Sequence, residues 1–278
     1  GIDKIDLDKL FKNGFSTGHG HLREPNDIMS YSALAAIAVQ SNQNDQHGGQ
    51  SIPAFDFYLA PGVLKTFKKI LKTTIKDYID LEDLNDFINV TSIEKDIAKI
   101  NTIDITVDYF EKYYKDSELM KRMFDMSLKK TLEKTDKRTY QSMEAFVHNL
   151  NTMHSRAGAQ VPFSSINFGT DTSSEGRMVT KNYMLASEAG LGHGETPIFP
   201  ISIFKVKEGV NYNPEDPNYD LFKLSLRVSA KRLFPNWSFL DSTFNKPYYK
   251  AGDYRTEVGY MGCRTRVIGN VVDPDKQI

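Results

Sequence analysis

The residue with the clearest capacity for chemistry is Cys263, the only cysteine among the 278 residues of this chain. It lies in the run YMGCRTRV at positions 260–267, which follows a polar, aromatic-rich stretch rather than an apolar one. A single sulfur can act as a nucleophile or carry a radical, and Arg264 and Arg266 favour its thiolate form unless strand alternation points them away. A free cysteine also serves frequently as a small buried hydrophobe. The residues alone leave both roles of Cys263 open.

A second group of candidate residues, Ser155, Arg156 and Gln160, stands just before an expected strand at positions 161–168. That strand carries three polar side chains in a core-like setting, at Ser164, Ser165 and Asn167. Because buried polar groups are costly unless they are hydrogen-bonded, the pattern favours either a bound ligand or an internal hydrogen-bond network. An amide-rich segment at 40–56 is suited in the same way to fixing a polar ligand or a buried loop.

Motifs for several other chemistries do not occur in the sequence. The glycine-rich run GLGHGE at 190–195 follows an expected helix and leads into an extended run, which is the wrong context for a dinucleotide fingerprint. The histidines are scattered without metal-ligand spacing, at His19, His21, His47, His148, His154 and His193. We therefore assign no metal ligands, and the sequence contains neither a Walker A motif nor a Gly-x-Ser-x-Gly elbow.

The composition is that of a soluble globular protein. Hydrophobic residues make up 40% and charged residues 26% of the chain, and a net charge of -1 gives no long-range attraction to nucleic acid or membranes. No apolar run approaches the roughly 20 residues of a membrane-spanning helix. A single cysteine and the lack of a signal peptide predict a cytoplasmic location. We expect neither a nucleic-acid nor a membrane partner.

The elements that must position the candidate residues change in type along the chain. Residues 1–150 are predicted to be mainly helical, and residues 151–278 to alternate strands and helices as parallel β/α units. The expected helices span 28–42, 64–78, 181–189 and 220–233. The expected strands span 161–168, 198–205 and 258–267. The helix at 64–78 carries a run of lysines, typical of either a solvated face or a phosphate-binding surface, at Lys65, Lys68, Lys69, Lys72 and Lys76.

Six long blocks of sequence carry a resemblance to a known family. They are GFSTGHGHLREP (14–25), SNQNDQHGGQSIPAFDFYLAPGV (41–63), SRAGAQVPFSSINFGTDTSSEGRMV (155–179), SEAGLGHGETPIFPISIFKVKEGVNYNPEDPNYDLFKL (187–224), RVSAKRLFPNWSFLD (227–241) and EVGYMGCRTRVIGN (257–270). Together, and in this order, the blocks resemble the catalytic subunits of the anaerobic, class III ribonucleoside-triphosphate reductases, which are glycyl-radical enzymes. The resemblance spans nearly the whole chain and is strongest at 149–270.

The resemblance implies an α/β fold, a ten-stranded β/α barrel of two five-stranded parallel halves laid antiparallel, with a finger loop through its centre. Residues 1–278 would form one partial barrel domain, with Cys263 at the tip of the finger loop. The mainly helical part, 1–150, would contain the helices of a homodimer interface and of the site for dNTP or ATP effectors, near 28–42 and 64–78. Individual effector-binding residues stay unassigned.

The resemblance also implies the chemistry of Cys263. Its thiyl radical would take the 3′-hydrogen of a ribonucleoside triphosphate, the 2′-hydroxyl would leave as water, and formate would be the reductant. Ser155, Arg156 and Gln160 would position the substrate near the barrel mouth, or would form a structural network there. A radical-SAM iron–sulfur enzyme would be the activating partner.

Parts of the family's chain have no counterpart in this sequence. The N-terminal ATP-cone domain is absent, as is the C-terminal segment expected to hold zinc and the glycyl radical. We therefore expect no cofactor within this chain, and no turnover of nucleotides by a fragment of this kind alone. One alternative is a non-catalytic nucleotide-binding and dimerisation fragment of the same enzyme. Another is a formate-lyase relative, which the absence of an adjacent second cysteine disfavours.

Overall fold

The structure, a computed structural model, describes residues 2–18, 20–45, 48–154, 160–262 and 265–268. Its helices are α1 (Leu7–Asn13), α2 (Ile28–Asp45), α3 (Phe55–Leu81), α4 (Val90–Ala98), α5 (Glu111–Tyr114), α6 (Glu118–Thr152), α7 (Ser174–Ala189) and α8 (Tyr219–Arg232). Its strands are β1 (Ile2–Lys4), β2 (Phe15–Ser16), β3 (His21–Leu22), β4 (Gly49–Ile52), β5 (Ser164–Phe168), β6 (Ile201–Val206), β7 (Asn236–Phe239), β8 (Gly259–Met261) and β9 (Thr265–Val267). Short 3-10 helices lie at Val107–Phe110, Lys246–Tyr248 and Tyr254–Thr256. Within the described ranges, no helix is both long and apolar enough to cross a membrane.

Five of the strands form one parallel sheet, in the order β1-β4-β5-β6-β7. Neighbouring parallel strands need a crossover connection, and helices supply it here: α7 joins β5 to β6, and α8 joins β6 to β7. The predicted alternation of strands and helices is confirmed as a mixed α/β fold with a five-stranded parallel sheet.

The helices pack on one another and against one face of this sheet. Helix α3 contacts β5 and α8 contacts β6, while α6 packs on α2, α3 and α7. Aromatic rings fill the space between the layers. The ring centres of Phe168 on β5 and Tyr183 on α7 are 5.2 Å apart, and those of Phe204 on β6 and Phe222 on α8 are 6.1 Å apart. The hydrophobic core therefore lies between the sheet and the helices.

The longest helix, α6, buries a polar stripe. Five of its hydroxyl side chains donate to the carbonyl four residues earlier, at 2.7–2.8 Å, namely Ser127, Thr131, Thr135, Thr139 and Ser142. Each of these hydroxyls is buried, and each is satisfied by its own helix rather than by a neighbour. Helix α6 can therefore pack closely against three other helices without leaving these hydroxyls unpaired.

Three expected helices are longer than the sequence pattern indicated, and one of them, expected at 181–189, is the C-terminal part of α7. The helix expected at 28–42 continues to Asp45, and the helix expected at 64–78 is the C-terminal part of α3. Helix α3 begins at Phe55 because its apolar stripe begins there, with buried Phe55, Leu59 and Val63 at four-residue spacing. The prediction missed this first part of α3.

The prediction of one strand over 258–267 is wrong. This segment contains two short antiparallel strands, β8 and β9, which pair Gly259 with Val267 and Met261 with Thr265. Gly262, directly after β8, has a φ of 63°. A glycine adopts this left-handed conformation without the steric penalty of other residues, so β8 can end there.

The sequence analysis also missed β1, β4 and β7. Strand β4 is polar, and its residues Gln50 and Ser51 are fully buried. The Gln50 side chain donates to the Val39 carbonyl and to the side-chain oxygen of Gln43, both on α2. The amide-rich segment thus forms an internal network, and the element that it fixes to the helix layer is the strand β4 rather than the expected buried loop.

Candidate functional site

The parallel sheet has a polar face on the side opposite the helices. Side chains alternate between the two faces of a strand. Ile166, Phe168 and Phe204 point to the helices. The other face carries the hairpin formed by β8 and β9. Six of its side chains are buried, and all but Ile203 are polar: Ser51, Ser165, Asn167, Ile203, Lys205 and Ser238. Ile201 and Asn236 of the same face are half-buried, so the centre of this face is an interior surface that carries mostly polar groups.

Asn167 joins this face to the β8–β9 hairpin. Its side-chain oxygen accepts from the backbone N–H of Tyr260 at 2.8 Å, and its Nδ2 donates to the carbonyl of Tyr260 at 3.0 Å. The side-chain amide thus pairs with both backbone groups of one residue, as a neighbouring strand would. Nδ2 also lies 3.1 Å from Ser51 Oγ and 3.2 Å from the carbonyl of Ile52.

Two serines of the sheet complete this attachment. Ser51 Oγ donates to the carbonyl of Tyr260 at 2.8 Å, and Ser165 Oγ accepts from the backbone N–H of Gly262 at 2.7 Å. The sequence left open whether the polar residues of β5 serve a ligand or an internal network. For Ser165 and Asn167 the structure shows an internal network, which holds the hairpin on the sheet.

Two glycines, Gly49 and Gly259, lie where the hairpin approaches the sheet closely. A Cβ at Gly49 of β4 would overlap the side chain of Met261. A Cβ at Gly259 would lie 3.1 Å from Cβ of Pro53, tighter than ordinary contact. A side chain at Gly49 would therefore require the end of the Met261 side chain to move, and one at Gly259 would require a small shift of Pro53.

The second strand of the hairpin has its own attachment, through Arg266. The guanidinium of Arg266 lies between two aromatic rings, 5.7 Å from the centre of Phe244 and 5.6 Å from that of Tyr248. It also donates to the carbonyl of Phe244 at 2.7 Å. Cation–π contact and a charged hydrogen bond act on the same group, so β9 is held independently of β8.

The predicted site residues fall largely outside the described part of the chain. Cys263, Ser155 and Arg156 are not among the described residues. Gln160 is described, and it is exposed ahead of β5. Cys263 follows Gly262 directly in the sequence, so the attachment of Gly262 to Ser165 lies one peptide bond from the candidate sulfur.

A buried ion pair, which the sequence analysis did not predict, joins the carboxyl ends of three strands to the base of the hairpin. Lys205 of β6 is fully buried, and its Nζ donates to Glu257 and, at 3.0 Å, to the carbonyl of Pro53. Glu257 also accepts from Thr170 at 2.7 Å. A lysine inside the apolar run ISIFKV was the available signal, because lysine is almost never fully buried without a partner.

Two buried carboxylates lie close together after β5. Oδ2 of Asp56, at the start of α3, accepts from the backbone N–H of Gly169 at 2.8 Å and of Asp171 at 3.1 Å. Burial, together with the negative charge of Asp56, raises the pKa of Asp171 to about 7. The Asp171 carboxyl can thus gain or lose a proton near neutral pH, inside the protein.

A small cavity of about 70 Å³ lies beside Glu257 and Pro53. It is lined by charges of both signs and by two tyrosines, at Lys4, Asp6, Asp8, Lys9, Tyr58, Tyr254 and Arg255. Burial lowers the pKa of Lys4 and raises that of Tyr254 to about 12. A volume of this size has room for roughly two water molecules and excludes a nucleotide.

All five lysines of the run in α3 have partners. Lys65 pairs with Glu24 at 3.1 Å, Lys72 and Lys76 both pair with Glu94, and Lys68 donates to the carbonyl of Ala98 at 3.0 Å. Lys69 pairs with Asp27 at 4.0 Å, at the edge of an open groove between α3 and α6.

This groove has a volume of about 480 Å³ and is predominantly basic. Its cations are Lys69, Lys134, Lys137 and Arg138, and the single acidic residue that lines it is Asp27. Lys134, Lys137 and Arg138 form no ion pair within the described part of the chain. The groove therefore has the size and the charge to take a phosphorylated ligand.

The fold and the site together define an α/β protein in which a hairpin is fixed on the polar face of a parallel sheet. The family model for anaerobic ribonucleoside-triphosphate reductase matches residues 3–276. The chain belongs to the anaerobic ribonucleoside-triphosphate reductase family.

Curated relatives agree with this assignment. The chain is 28% identical over 262 residues to the anaerobic ribonucleoside-triphosphate reductase of Enterobacteria phage T4, an alignment that covers 94% of this chain and 35% of the relative. It is 25% identical over 262 residues to the enzyme of the same name from Escherichia coli (strain K12), covering 94% of this chain and 29% of that protein. The chain thus spans about a third of the length of these relatives.

Proposed function

We propose that this chain forms half of the catalytic barrel of an anaerobic ribonucleoside-triphosphate reductase and presents Cys263 as the hydrogen-abstracting residue. The observation that carries the proposal is the attachment of Tyr260 and Gly262 to the buried polar face of the parallel sheet. Cys263 is the next residue in the chain. A thiyl radical survives only where water and other thiols are kept away, and an interior sheet face suits that need.

The proposed barrel is supported by the edges of the sheet. Within the described residues, β1 and β7 each pair with a strand on one side only. Open edges are a liability unless they are covered or paired. In a ten-stranded barrel these two edges would meet a second five-stranded half. The relatives are about three times as long as this chain, which leaves enough length for such a half.

In the proposed reaction, the Cys263 thiyl radical takes the 3′-hydrogen atom of a ribonucleoside triphosphate and becomes a thiol. The 2′-hydroxyl is protonated and leaves as water, formate supplies two electrons and is oxidised to CO₂, and the thiol returns a hydrogen atom to C3′. Overall, one formate ion and one proton convert the ribonucleotide to the deoxyribonucleotide, CO₂ and water. A glycyl radical, where present, supplies the first oxidation of the thiol.

The zinc ion and the glycyl radical of this proposal belong to a segment outside this chain. Within the described ranges, no three His, Cys, Asp or Glu side chains lie together in a way that could hold a metal ion. We propose that the contribution of this chain is the positioning and shielding of the sulfur. We expect residues 1–278 alone to turn over no nucleotide.

We propose that Ser155, Arg156 and Gln160 position the substrate. An arginine guanidinium binds phosphate oxygens in a bidentate manner, and serine and glutamine can donate to the same oxygens. All three residues lie just before β5, the strand whose Ser165 holds Gly262. The substrate and the sulfur would thus be oriented by one strand and the segment that leads into it.

We further propose that the enzyme acts in the cytoplasm as a homodimer, is activated by a radical-SAM iron–sulfur enzyme, and binds dNTP or ATP effectors in its helical layer. The groove between α3 and α6 supports effector binding. It offers four cations, and its volume of about 480 Å³ is large enough for a nucleoside triphosphate.

The test of the catalytic proposal compares wild type with Cys263→Ser in the full-length, anaerobically activated protein. Wild type is expected to convert a ribonucleoside triphosphate and formate to the deoxyribonucleotide and CO₂, measured by mass spectrometry. Cys263→Ser is expected to form the same glycyl-radical signal in electron paramagnetic resonance and to give no product. Product formation by the variant would remove Cys263 from the mechanism.

The second candidate function is nucleotide binding without catalysis, and the basic groove is the observation that favours it. Calorimetric titration with dATP or dGTP tests it. Arg138→Ala and Lys137→Ala are expected to weaken binding about tenfold or more, because each removes an unpaired cation. Lys130→Ala is the matched control, since Lys130 is an exposed lysine of the same helix that does not line the groove.

The two candidate functions separate in one comparison. Nucleotide binding in the groove without any product from the activated full-length protein would favour the non-catalytic function. Equal loss of binding in Lys130→Ala and Arg138→Ala would argue against the groove as the binding site.

A further inference from the structure

We infer that Asn167, Ser165 and Ser51 are positioning residues, whose side chains fix the position of the hairpin that leads to Cys263. The inference rests on the proposed function, in which Cys263 is the reacting residue. It assigns to the polar face of the sheet a task that is distinct from binding substrate.

The first support is that the sheet holds the hairpin by side chains alone. Strand β8 pairs only with β9 in the described structure, and it forms no backbone ladder with β4 or β5, although it contacts both. Two strands of three residues each are not stable in water by themselves. The position of the hairpin must therefore come from contacts with its surroundings, which are the sheet under β8 and the Phe244 and Tyr248 rings beside Arg266 of β9.

The contacts of Asn167 and Ser165 with β8 also determine how far the hairpin lies from the sheet and which residues of β8 face which residues of the sheet. Asn167 binds the N–H and the carbonyl of Tyr260, and Ser165 binds the N–H of Gly262, two residues further along. Shifting β8 by one residue would leave these buried polar atoms without partners, at considerable cost. The side chain of Met261 occupies the space directly above Gly49, where a Cβ would overlap it.

The chemical consequence follows from the distance dependence of reactions between bound groups. Displacement of a reacting group by about 1 Å can reduce the rate about 100-fold. Hydrogen bonds at residues 260 and 262 act directly before residue 263. Their loss is therefore expected to lower kcat and to leave KM unchanged, because the three side chains act on the hairpin and not on the substrate.

The chain offers a matched control on the same face of the sheet. Ser238 of β7 is 4% exposed, pairs in register with Lys205, and has no hydrogen-bond partner for its hydroxyl in the described structure. Ser238→Ala and Ser165→Ala remove the same atom from the same buried surface. Only the second change removes a contact with the hairpin.

The first measurement is hydrogen exchange, read by mass spectrometry on peptides that contain residues 260–262 of the full-length protein. Ser165→Ala is expected to raise the exchange rate of this segment about tenfold, since one buried hydrogen bond is lost. Ser51→Ala is expected to have a smaller effect, because Asn167 still donates to the Tyr260 carbonyl. Ser238→Ala is expected to match wild type.

The second measurement is steady-state kinetics of the same activated variants. Ser165→Ala is expected to lower kcat about 10- to 100-fold with an unchanged KM, and Ser238→Ala to leave both unchanged. An unchanged exchange rate in Ser165→Ala overturns the attachment itself, whatever the activity. A raised exchange rate with an unchanged kcat overturns the positioning role. Absence of turnover in wild type, with exchange rates as expected, contradicts the proposed function and leaves the attachment established.

Discussion

Among the described residues, Asp171 is a buried group whose charge state depends on pH near neutrality. Its pKa of about 7 results from burial and from the charge of Asp56, whose carboxylate is occupied by two backbone N–H groups. In the unfolded chain an aspartate has a pKa near 3.9. The folded state therefore binds a proton more tightly than the unfolded state between about pH 4 and pH 7.

The first prediction concerns this proton. Because the folded pKa of Asp171 is raised, its contribution to stability is fully present below about pH 4 and is lost as pH rises through about 7. Asp171→Asn, which stays neutral, is expected to remove this part of the pH dependence and to stabilise the protein at pH 8. Urea unfolding at pH 5 and pH 8 measures it. An unchanged pH profile in Asp171→Asn would show that Asp171 ionises normally in the folded protein.

The second prediction concerns the buried ion pair of Lys205 and Glu257. Lys205→Met leaves Glu257 buried without its cation and is expected to destabilise the protein by about 3–5 kcal/mol. The control is Lys129→Met, because Lys129 pairs with Asp125 on the exposed side of a helix, where such pairs contribute about 1 kcal/mol or less. Denaturant unfolding compares the two. Adding Glu257→Gln to Lys205→Met should recover part of the loss, and equal losses in the two single variants would contradict the argument.

At the level of secondary-structure elements, the contact between the sheet and the hairpin depends on glycines as well as on hydrogen bonds. Gly49 lies in β4 at a position where the side chain of Met261 occupies the space above it. The buried polar stripe of α6 also consists of small residues. Their hydroxyl groups donate hydrogen bonds to carbonyls of the same helix, so three helices can pack closely on α6. In both places, small residues allow neighbouring elements to pack close together.

The third prediction follows from the contact between β4 and β8. Gly49→Ala is expected to displace the hairpin and to destabilise the protein by about 1–3 kcal/mol, the usual effect of overpacking. Met261→Ala removes the side chain that the new methyl would meet, so the double variant is expected to recover most of the loss seen in Gly49→Ala. Hydrogen exchange of residues 259–261 reads the displacement. If the two substitutions are simply additive, the close contact does not exist in solution.

At the scale of the whole molecule, charge is balanced globally and concentrated locally. The net charge is -1, yet four cations surround the groove between α3 and α6. A phosphorylated ligand is therefore attracted over a short range only, by the groove itself. Interactions of this kind between exposed groups are screened by salt, with a Debye length of about 10 Å at 0.1 M.

The fourth prediction uses this screening. Raising the salt concentration from about 0.05 M to 0.5 M is expected to weaken nucleotide binding to wild type several-fold, and to weaken binding to Arg138→Ala by a smaller factor. Calorimetric titration at the two salt concentrations measures both. A salt dependence that is the same in wild type and Arg138→Ala would show that the ligand binds elsewhere.

Local sequence patterns were sufficient to predict the features that repeat along a single segment. Apolar residues at four-residue spacing indicated the helices, and alternation of strands and helices indicated parallel β/α units, since both patterns follow from the geometry of a single segment. Polar residues on an expected strand marked β5 as unusual, and the long matching blocks indicated the family. Short strands such as β4 and β7 were not predicted, because four residues are too few to show a clear alternation of apolar and polar side chains.

The contacts between residues that are distant in the chain could be read only from the folded structure. Asn167 and Tyr260 are 93 residues apart in the chain, and Lys205 and Glu257 are 52 residues apart. The basic groove likewise combines residues of α3 and α6, which are separated by several other elements. A local sequence pattern cannot predict such contacts. They depend on the spatial order of the strands in the sheet and on the space that small residues leave between the layers.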